Sequence, residues 1–371
     1  MKNALIKAFV TLFQVQQTSS DEHGKFLILS TTGLGDTLWA TPAIRALRET
    51  YPYSYIAVLT SPIGEQLLLH NPHINDLFIV GNPALTSLLA HFRTLREKKF
   101  THVFAFHTSQ RPVLPFACLL GAHTIVGTSG INKGLDSFFT HCLKVPKIHE
   151  IERRLKIVET IGASTSTREI ELFFSSYDEQ IAQDYLDSLS LPSYVPMIAF
   201  HPGAKDAFKQ WPTQHFIQLG NRLVDHLGCQ LFITGTPGEK PLVDEMAAAI
   251  KGAIPVTHLS VRSLAVLLKK MSLMVTNDTG PMHVAFAMKT PTIALFAPTN
   301  PALCGPYAAE KVKVIAKSRT CTPCRAKKCQ SPFCLLQIGV REVYDAALTM
   351  FYEGRSETQT PCSWAHFHSG P

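Results

Sequence analysis

The sequence contains no apolar run approaching the ~20 residues that a membrane-crossing helix needs, so it offers no helical span. It has no long basic block and no ladder of aromatic and basic residues. Its net charge of +7 therefore points to anionic small molecules or an anionic membrane surface, not to nucleic acid. There is no cysteine framework: nine cysteines, five of them scattered singly, fit a reducing, cytoplasmic compartment. No acidic cluster suggests a catalytic divalent cation. Gly33-Leu34-Gly35 is not a dinucleotide fingerprint, because position 38 is Leu where a third glycine is required; this disfavours a nicotinamide dehydrogenase. His70, His91 and His123 show no ligand spacing.

What is present is an α/β pattern in a chain of 371 residues, long enough for two domains, with 46% apolar and 17% charged residues. "FLILS", "YIAVLT", "DLFIV" and "THVFAFH" read as buried strands, separated by the helical stretches "TLWATPAIRALRETYP", "GEQLLLHNP" and "LTSLLAHFRTLREKKF". "EIERRLKIVETIG" is a further amphipathic helix. After a Ser- and Pro-rich region the alternation restarts at "MIAFHPG" and runs through "CQLFITG", "SLMVTND" and "TPTIALFAPT". Such alternation predicts two parallel sheets with helices on both faces, a coarse duplication. The expected divisions are an N-terminal extension over 1–25, domains over 26–190 and 191–354, and a disordered tail over 355–371.

Ligands of open α/β sheets bind at the carboxyl ends of the strands. That rule selects four turns. In "TNDTGPMHVAFA", Asp278 reads as a helix cap or as an orienting group. Thr279, Gly280 and Pro281 then form a helix start whose free N–H groups suit an anion. "HPGAKDAFKQWP" brings Gly203, Lys205 and Lys209, lysine being a point charge suited to phosphate. "FITGTPGEK" places Glu239 where a carboxylate can accept two sugar hydroxyls. "TTGLGDTLWATP" places Gly35, Asp36 and Thr37 at a helix start, where an ionised aspartate can serve as a general base. Each has a plainer alternative: an ordinary cap, a solvated lysine loop, or a carboxylate favoured by the helix dipole. Arg111, in "HTSQRPVLPF", suits an acceptor phosphate or carboxylate, or is a surface arginine.

These four turns, in this order, resemble the ADP-heptose:lipopolysaccharide heptosyltransferases, glycosyltransferase family 9. "GLGDTLWATPAIRALRETYP" looks like the family's N-terminal signature, and "NDTGPMHVAFAMKTPTIALFAPTNP" like its more specific C-terminal one. "HPGAK…KQWP" and "TGTPGEK" stand between them. The resemblance runs from about Phe26 to Tyr352, with residues 60–195 poorly diagnostic. It implies a GT-B architecture: two Rossmann-like domains facing across a cleft, acceptor on the N-terminal domain and nucleotide sugar on the C-terminal one. It implies inverting transfer of heptose from ADP-L-glycero-β-D-manno-heptose to the lipopolysaccharide inner core, with lipid A-Kdo or a heptosylated core as acceptor. On it, Asp36 matches the proposed base, Lys209 a phosphate-binding lysine and Glu239 a ribose-binding acid. Asp278, Thr279, Gly280, Pro281, Met282 and His283 match the diphosphate and sugar site. No catalytic metal is expected. One departure stands out: members often carry a Ser or Thr pair where this chain has "HPGAK", which leaves room for a different donor.

Two segments lie apart. Cys321, Cys324, Cys329 and Cys334, spaced C-x2-C-x4-C-x4-C, can enclose a structural zinc or iron ion, with reduced structural cysteines or local disulfides as the alternatives. At the N-terminus, Leu5, Ile6, Phe9, Leu12 and Phe13 recur at helical spacing. They suit an amphipathic helix at the periphery of the inner membrane, or a frayed extension; a signal peptide would lack a clear cleavage site. Other functions compatible with the pattern are a related transferase with another sugar nucleotide or a protein acceptor, a nucleotide-sugar epimerase, and a non-catalytic nucleotide-binding protein.

Overall fold

The structure, a computed structural model, describes residues 2–13, 23–108, 110–297, 299–307, 309–318 and 333–356. The described chain divides into two compact units. The first comprises Met1–Tyr185, Ser260–Val266 and Asn300–Ala309; the second comprises Leu186–Leu259, Leu267–Thr299 and Glu310–Pro371. The division thus falls five residues before the expected one at 190/191, and neither unit is a single stretch of chain.

In the first unit the elements run α1 (Lys2–Phe13), β1 (Lys25–Ser30), α2 (Leu34–Leu38), α3 (Thr41–Thr50), β2 (Tyr55–Thr60), α4 (Pro62–Leu68) and β3 (Asp76–Ile79). They continue with α5 (Ala84–Glu97), β4 (His102–His107), α6 (Val113–Leu119), β5 (Thr124–Thr128), β6 (His141–Leu143) and α7 (Glu150–Val158). Helix α8 (Ser176–Ser188) begins in the first unit and ends in the second. The sheet order is β3-β2-β1-β4-β5-β6, all parallel. Leu27 and Leu29 of β1 pack on one face with Leu88, Val113 and Ala117. Phe26 and Ile28 pack on the other with Ile44, Leu47 and Leu155. This alternation follows from the two-residue period of a strand buried on both faces.

Two expectations are corrected here. The stretch "TLWATPAIRALRET" is not one helix: Pro42 has no N–H to donate to the preceding turn, and the chain breaks at Trp39–Ala40 into α2 and α3. Residues 2–13 are not a separate extension. Val10 is buried and Ile6 packs in the first unit's core, while Asn3 Nδ2 donates to Lys133 O at 3.2 Å and to Gly134 O at 3.3 Å. Leu12 stays exposed. Leu5, Phe9 and Phe13 carry side chains outside the described set.

The second unit contains β7 (Met197–His201), α9 (Thr213–Leu227), β8 (Gln230–Thr234), α10 (Lys240–Ala249), β9 (Ile254–Val256) and the end of α11 (Val261–Lys269). Then come β10 (Leu273–Asn277), α12 (Gly280–Ala287) and β11 (Thr292–Phe296). A short α13 (Pro301–Cys304) lies in the first unit, and β12 (Val312–Ala316), α14 (Phe333–Leu336) and α15 (Val340–Ser356) return to the second. The sheet order is β12-β11-β10-β7-β8-β9, all parallel. Numbered within its own unit this is the order of the first sheet, so the duplication extends to topology. Trp211 is buried against Phe216, and its indole N–H donates to Ile338 O at 2.9 Å, fixing α15's approach to the sheet. No described helix is long and apolar enough to cross a membrane.

Candidate functional site

In the first unit the strand order reverses between β1 and β4, so the connections that leave these strands part in opposite directions. The two exits are held together: Thr31 N donates to His107 O at 3.1 Å. Asp36 lies on the connection after β1. It is not a cap, since Gly33 occupies that position at φ −78°, an extended backbone open to any residue; Asp36 is the third residue of the short helix α2. Its Oδ1 accepts from Arg154 Nη2 at 3.0 Å.

Arg154 is a residue that sequence reasoning missed. It is 0% exposed, donates from Nη1 to Glu150 O at 2.8 Å and to Glu150 Oε2 at 2.6 Å, and lies over the Trp39 ring with 5.6 Å to its centroid. Arg153 binds the same Glu150 oxygen through Nε and Nη2, and donates from Nη1 to Phe106 O at 2.9 Å and Thr128 Oγ1 at 3.0 Å. Burial pushes the Glu150 carboxyl up, but the Arg154 and Arg153 guanidiniums outweigh it and hold the group at about 2. Glu150 is therefore an anion that fixes both arginines. Arg154 in turn fixes Asp36 through one oxygen. The other, Oδ2, has no hydrogen-bond partner among the described residues, and Asp36 keeps 27% side-chain exposure. A carboxylate oriented through one oxygen and open at the other can take a proton from a hydroxyl.

His107 ends β4 beside this group. Burial lowers its pKa, opposed by the nearby Asp36 charge, so the ring is neutral near pH 7. Two further expected binders already have partners within the first unit. The Thr37 hydroxyl is buried and donates to Gly33 O at 3.1 Å, within its own turn. Arg111 Nη1 donates to Asn3 Oδ1 at 3.2 Å, which ties it to α1. Gly35 lies in α2 one residue before Asp36, and its carbonyl accepts from Trp39 N at 2.9 Å.

In the second unit the reversal falls between β7 and β10, and the connections after them carry most of the remaining candidates. Asn277, fully buried at the end of β10, holds both ends of the loop after β7. Its Nδ2 donates to Pro202 O at 2.7 Å, and its Oδ1 accepts from Trp211 N at 2.9 Å. The loop so clasped carries Gly203, exposed Lys205, and Lys209, whose Nζ lies 2.6 Å from Asp278 Oδ2. The Thr299 hydroxyl donates to the same oxygen. The cap of α12 is Thr279, at φ −148° and ψ 170°, so Asp278 is the lysine's partner and not the cap. Gly280 and Pro281 form the first turn of α12. Met282 and His283 point into the protein: Met282 is 0% exposed, and His283 is buried edge-on to Phe286 at 5.6 Å. What Met282 offers a ligand is thus backbone, not side chain.

Glu239 follows β8. Its Oε2 accepts from Thr236 N and Thr236 Oγ1, both at 2.8 Å. Its Oε1 lies over Gly203 so closely that a β-carbon there would stand 2.0 Å away. Gly203 is thus glycine for close approach, and two residues from separate predicted turns meet. His201, at the end of β7, contacts Thr234 Oγ1 through Nδ1 at 3.0 Å. Burial lowers its pKa to about 4, against the pull of the Glu239 charge. One lysine, the free N–H groups opening α12 and a carboxylate over a glycine together suit a ligand with an anionic group and paired hydroxyls.

Of the cysteine group, Cys334 is buried in the second unit's core with Leu335 and Ile338; Cys321, Cys324 and Cys329 lie outside the described residues. Among the described residues no set of three or more His, Cys, Asp or Glu is arranged to hold a metal.

Comparison with known proteins agrees with the fold. The family model for glycosyltransferase family 9 (heptosyltransferase) matches residues 88–334. Lipopolysaccharide heptosyltransferase 3 of Escherichia coli (strain K12) is 27% identical over 280 residues, covering 72% of this chain and 80% of that protein. Lipopolysaccharide heptosyltransferase 2 of the same strain is 26% identical over 312 residues, covering 78% and 87%. Among solved structures, the glycosyl transferase family 9 protein from Veillonella parvula DSM 2008 superposes with a TM-score of 0.81 at 22% identity, covering 91% of this chain and 100% of that one. E. coli ADP-heptose lps heptosyltransferase II superposes with a TM-score of 0.73 at 21% identity, covering 89% and 99%. These likenesses establish the fold as GT-B, and the family match, which spans most of the chain, establishes the enzyme class: the protein is a glycosyltransferase belonging to family 9, the heptosyltransferases.

Proposed function

We propose that this enzyme moves heptose from ADP-L-glycero-β-D-manno-heptose to the inner core of lipopolysaccharide, with inversion, and that Asp36 is the general base. The observation that carries the reading is the state of Asp36: fixed through Oδ1 by a fully buried arginine, open at Oδ2, and placed where the first sheet's strand order reverses. The acceptor class is supported by the names of the E. coli relatives, both lipopolysaccharide heptosyltransferases. An ADP-activated donor is supported by a heptosyltransferase of the same fold solved with ADP-2-deoxy-2-fluoro heptose.

In this reading Asp36 Oδ2 takes the acceptor's hydroxyl proton as that oxygen attacks the anomeric carbon. The bond from the anomeric carbon to the diphosphate breaks, and ADP leaves with the electron pair. Lys209 exchanges Asp278 for the departing diphosphate, with the N–H groups of Gly280 and its neighbours beside it. Such prearranged donors contribute ~3 kcal/mol each where charge develops. Lys205 adds a mobile positive charge, and Glu239 above Gly203 receives the ribose hydroxyls. The acceptor belongs to the first unit and the nucleotide sugar to the second. The excess of basic residues suits work at the anionic inner face of the cytoplasmic membrane. Cys321, Cys324, Cys329 and Cys334 offer four thiolates, a donor set that fits one structural zinc or iron ion, with no step of the transfer passing through it.

The test is release of ADP from ADP-heptose with a heptose-deficient lipopolysaccharide acceptor, for wild type and Asp36→Ala. A fall of at least ~100-fold with unchanged donor affinity is expected. Equal turnover in the variant removes Asp36 as the base, and failure of the wild type to bind ADP-heptose removes the donor.

A further inference from the structure

Helix α7 carries Glu150, Arg153 and Arg154, so whatever fixes its start bears on Asp36. The residue at that start is His149. Its Nδ1 accepts from Ile151 N at 3.2 Å and caps the helix, while its Nε2 lies 3.1 Å from Gly305 O. One tautomer meets both contacts, with the hydrogen on Nε2. Burial lowers the ring's pKa, which keeps it neutral near pH 7. The ring also stacks on Tyr307, with centroids 4.4 Å apart and planes inclined by 20°. The Tyr307 hydroxyl donates to Glu152 Oε1 at 2.8 Å, an oxygen that also accepts from Arg168 Nε at 3.1 Å. Tyr307 thus grips the first turn of α7 at two points.

His149 also meets the aspartate's own helix. Trp39, which ends α2 three residues after Asp36, lies edge-on to His149 with 6.1 Å between ring centroids. The Arg154 guanidinium lies over that same indole, so Asp36 and Trp39 hold one cation from two directions. Its buried Nε has no hydrogen-bond partner. The tilt of the guanidinium therefore rests on its Nη bonds and on the face of Trp39. Tyr307 comes from a distant part of the chain. Asn300–Ala309 lies between β11 and β12 of the second sheet, yet it belongs to the first unit. The turn that offers the Gly305 carbonyl is tight: Gly305 N donates to Pro301 O at 2.7 Å, and a β-carbon on Gly305 would stand 2.6 Å from that oxygen. Joining two neighbouring parallel strands does not require a tyrosine stacked on the helix that carries Arg154.

We propose that Tyr307 and His149 are positioning residues for the transfer: Tyr307 stacked on His149, and His149 set against Trp39, fix the tilt of the Arg154 guanidinium and through it the aim of Asp36 Oδ2. Their contribution is to kcat and not to donor binding, because neither residue belongs to the second unit, which carries the anion site. The assignment rests on Asp36 as the base, as read above, but not on the identity of the sugar transferred.

The experiment has two arms, both on the full-length protein. The first measures kcat and donor KM with ADP-heptose and heptose-deficient lipopolysaccharide, and ADP affinity by calorimetry. Tyr307→Phe, which keeps the stack, should stay within ~3-fold of wild type. Tyr307→Ala should lower kcat ~10–100-fold, the cost of a misplaced catalytic group, with KM and ADP affinity unchanged. In an Arg154→Lys background Tyr307→Ala should cost less than ~2-fold, because an ammonium has no plane for the stack to orient. His149→Gln keeps a donor for Gly305 but has no ring to stack; it should match Tyr307→Ala, and it serves if that variant does not fold. The second arm needs no substrate: the Arg154 Nε–H signal in a 1H–15N spectrum, assigned by its loss in Arg154→Lys, should shift in Tyr307→Ala and not in Tyr307→Phe. Wild-type kcat in both Tyr307→Ala and His149→Gln, losses that multiply with Arg154→Lys, a matching loss of ADP affinity, or an unmoved Arg154 signal overturns the proposal. Full turnover in Asp36→Ala removes the base reading instead, and failure of the wild type to use ADP-heptose removes the donor; the spectrum still decides whether Tyr307 positions Arg154.

Discussion

Replacing Gly203 with alanine tests the second unit's site at one atom. The added β-carbon would stand 2.0 Å from Glu239 Oε1, 2.5 Å from Cδ and 2.9 Å from Oε2. No pair of unbonded heavy atoms tolerates that, so the flexible carboxylate must swing away by more than an ångström. In doing so it gives up both 2.8 Å bonds, from Thr236 N and Thr236 Oγ1. Thr236 is exposed, so each bond is taken at ~1 kcal/mol, below the ~1.5–3 kcal/mol of charged bonds in general. Alanine returns ~0.5 kcal/mol by restricting the unfolded chain. The net stability loss is ~1–1.5 kcal/mol. If Glu239 receives the ribose hydroxyls, ADP binding weakens further, by ~10–100-fold. The assay is a double-mutant cycle: Gly203→Ala, Glu239→Ala and the pair, each measured by urea unfolding and by ADP calorimetry. In the Glu239→Ala background the β-carbon meets no carboxylate, so Gly203→Ala should cost nothing, a coupling of at least ~1 kcal/mol. Additive losses would refute the argument, because they would mean the glycine serves some purpose other than admitting Glu239.

Arg154→Met should destabilise the protein by ~1–3 kcal/mol in urea unfolding, since it takes one partner from each of two half-buried carboxylates, Glu150 and Asp36. It should also lower kcat well below that of Arg154→Lys, with ADP affinity unchanged; equal kcat in both variants would show that Asp36 needs no fixed guanidinium. His201 has a folded pKa near 4 against an ordinary value of 6.5, and His107 and His149 are also lowered by burial. A depressed histidine pKa means the unfolded chain takes up protons first. Stability is therefore full above pH 6.5 and falls as pH drops from 6.5 towards 4. His201→Gln should flatten that fall in urea midpoints measured at pH 7.5, 6 and 5, and an unchanged slope would remove His201 as a cause. Elemental analysis should find about one zinc or iron per chain, lost in Cys324→Ser; a wild-type chain without either metal, with its thiols open to a titrating reagent, would remove the proposed cysteine site.

The parallel α/β character was legible because central strands buried on both faces must be continuous apolar runs, as "FLILS" and "MIAF" are. The strands that escaped notice lie at or next to the sheet edges. His141–Leu143, Ile254–Val256 and Val312–Ala316 are short and half-exposed, and Thr124–Thr128 is interrupted by Gly127, so none carries an apolar run to betray it. The break at Trp39–Ala40 is encoded by Pro42, which interrupts an otherwise continuous helical period.

For the site, the sequence by itself determined which residue types stand after which strands: Asp36, Gly203, Lys209, Glu239 and the "NDTGP" turn are local patterns, each a strand end followed by a helix start. What only the tertiary structure decided is who touches whom. Arg154 lies 118 residues from Asp36 and reads as one more cation in the helix "EIERRLKIV" until folding buries it beneath the aspartate. Asn277 reads as a turn residue until its amide is found spanning both ends of a loop some seventy residues away. Met282 and His283 belong to a signature yet point inward, because a helix with a ligand at its first turn must still pack its next residues on the sheet. Sequence spacing encodes contacts along one element. Partners drawn from different strands are fixed by sheet order and by the need to pair every buried charge, and neither is written in any single stretch of the chain.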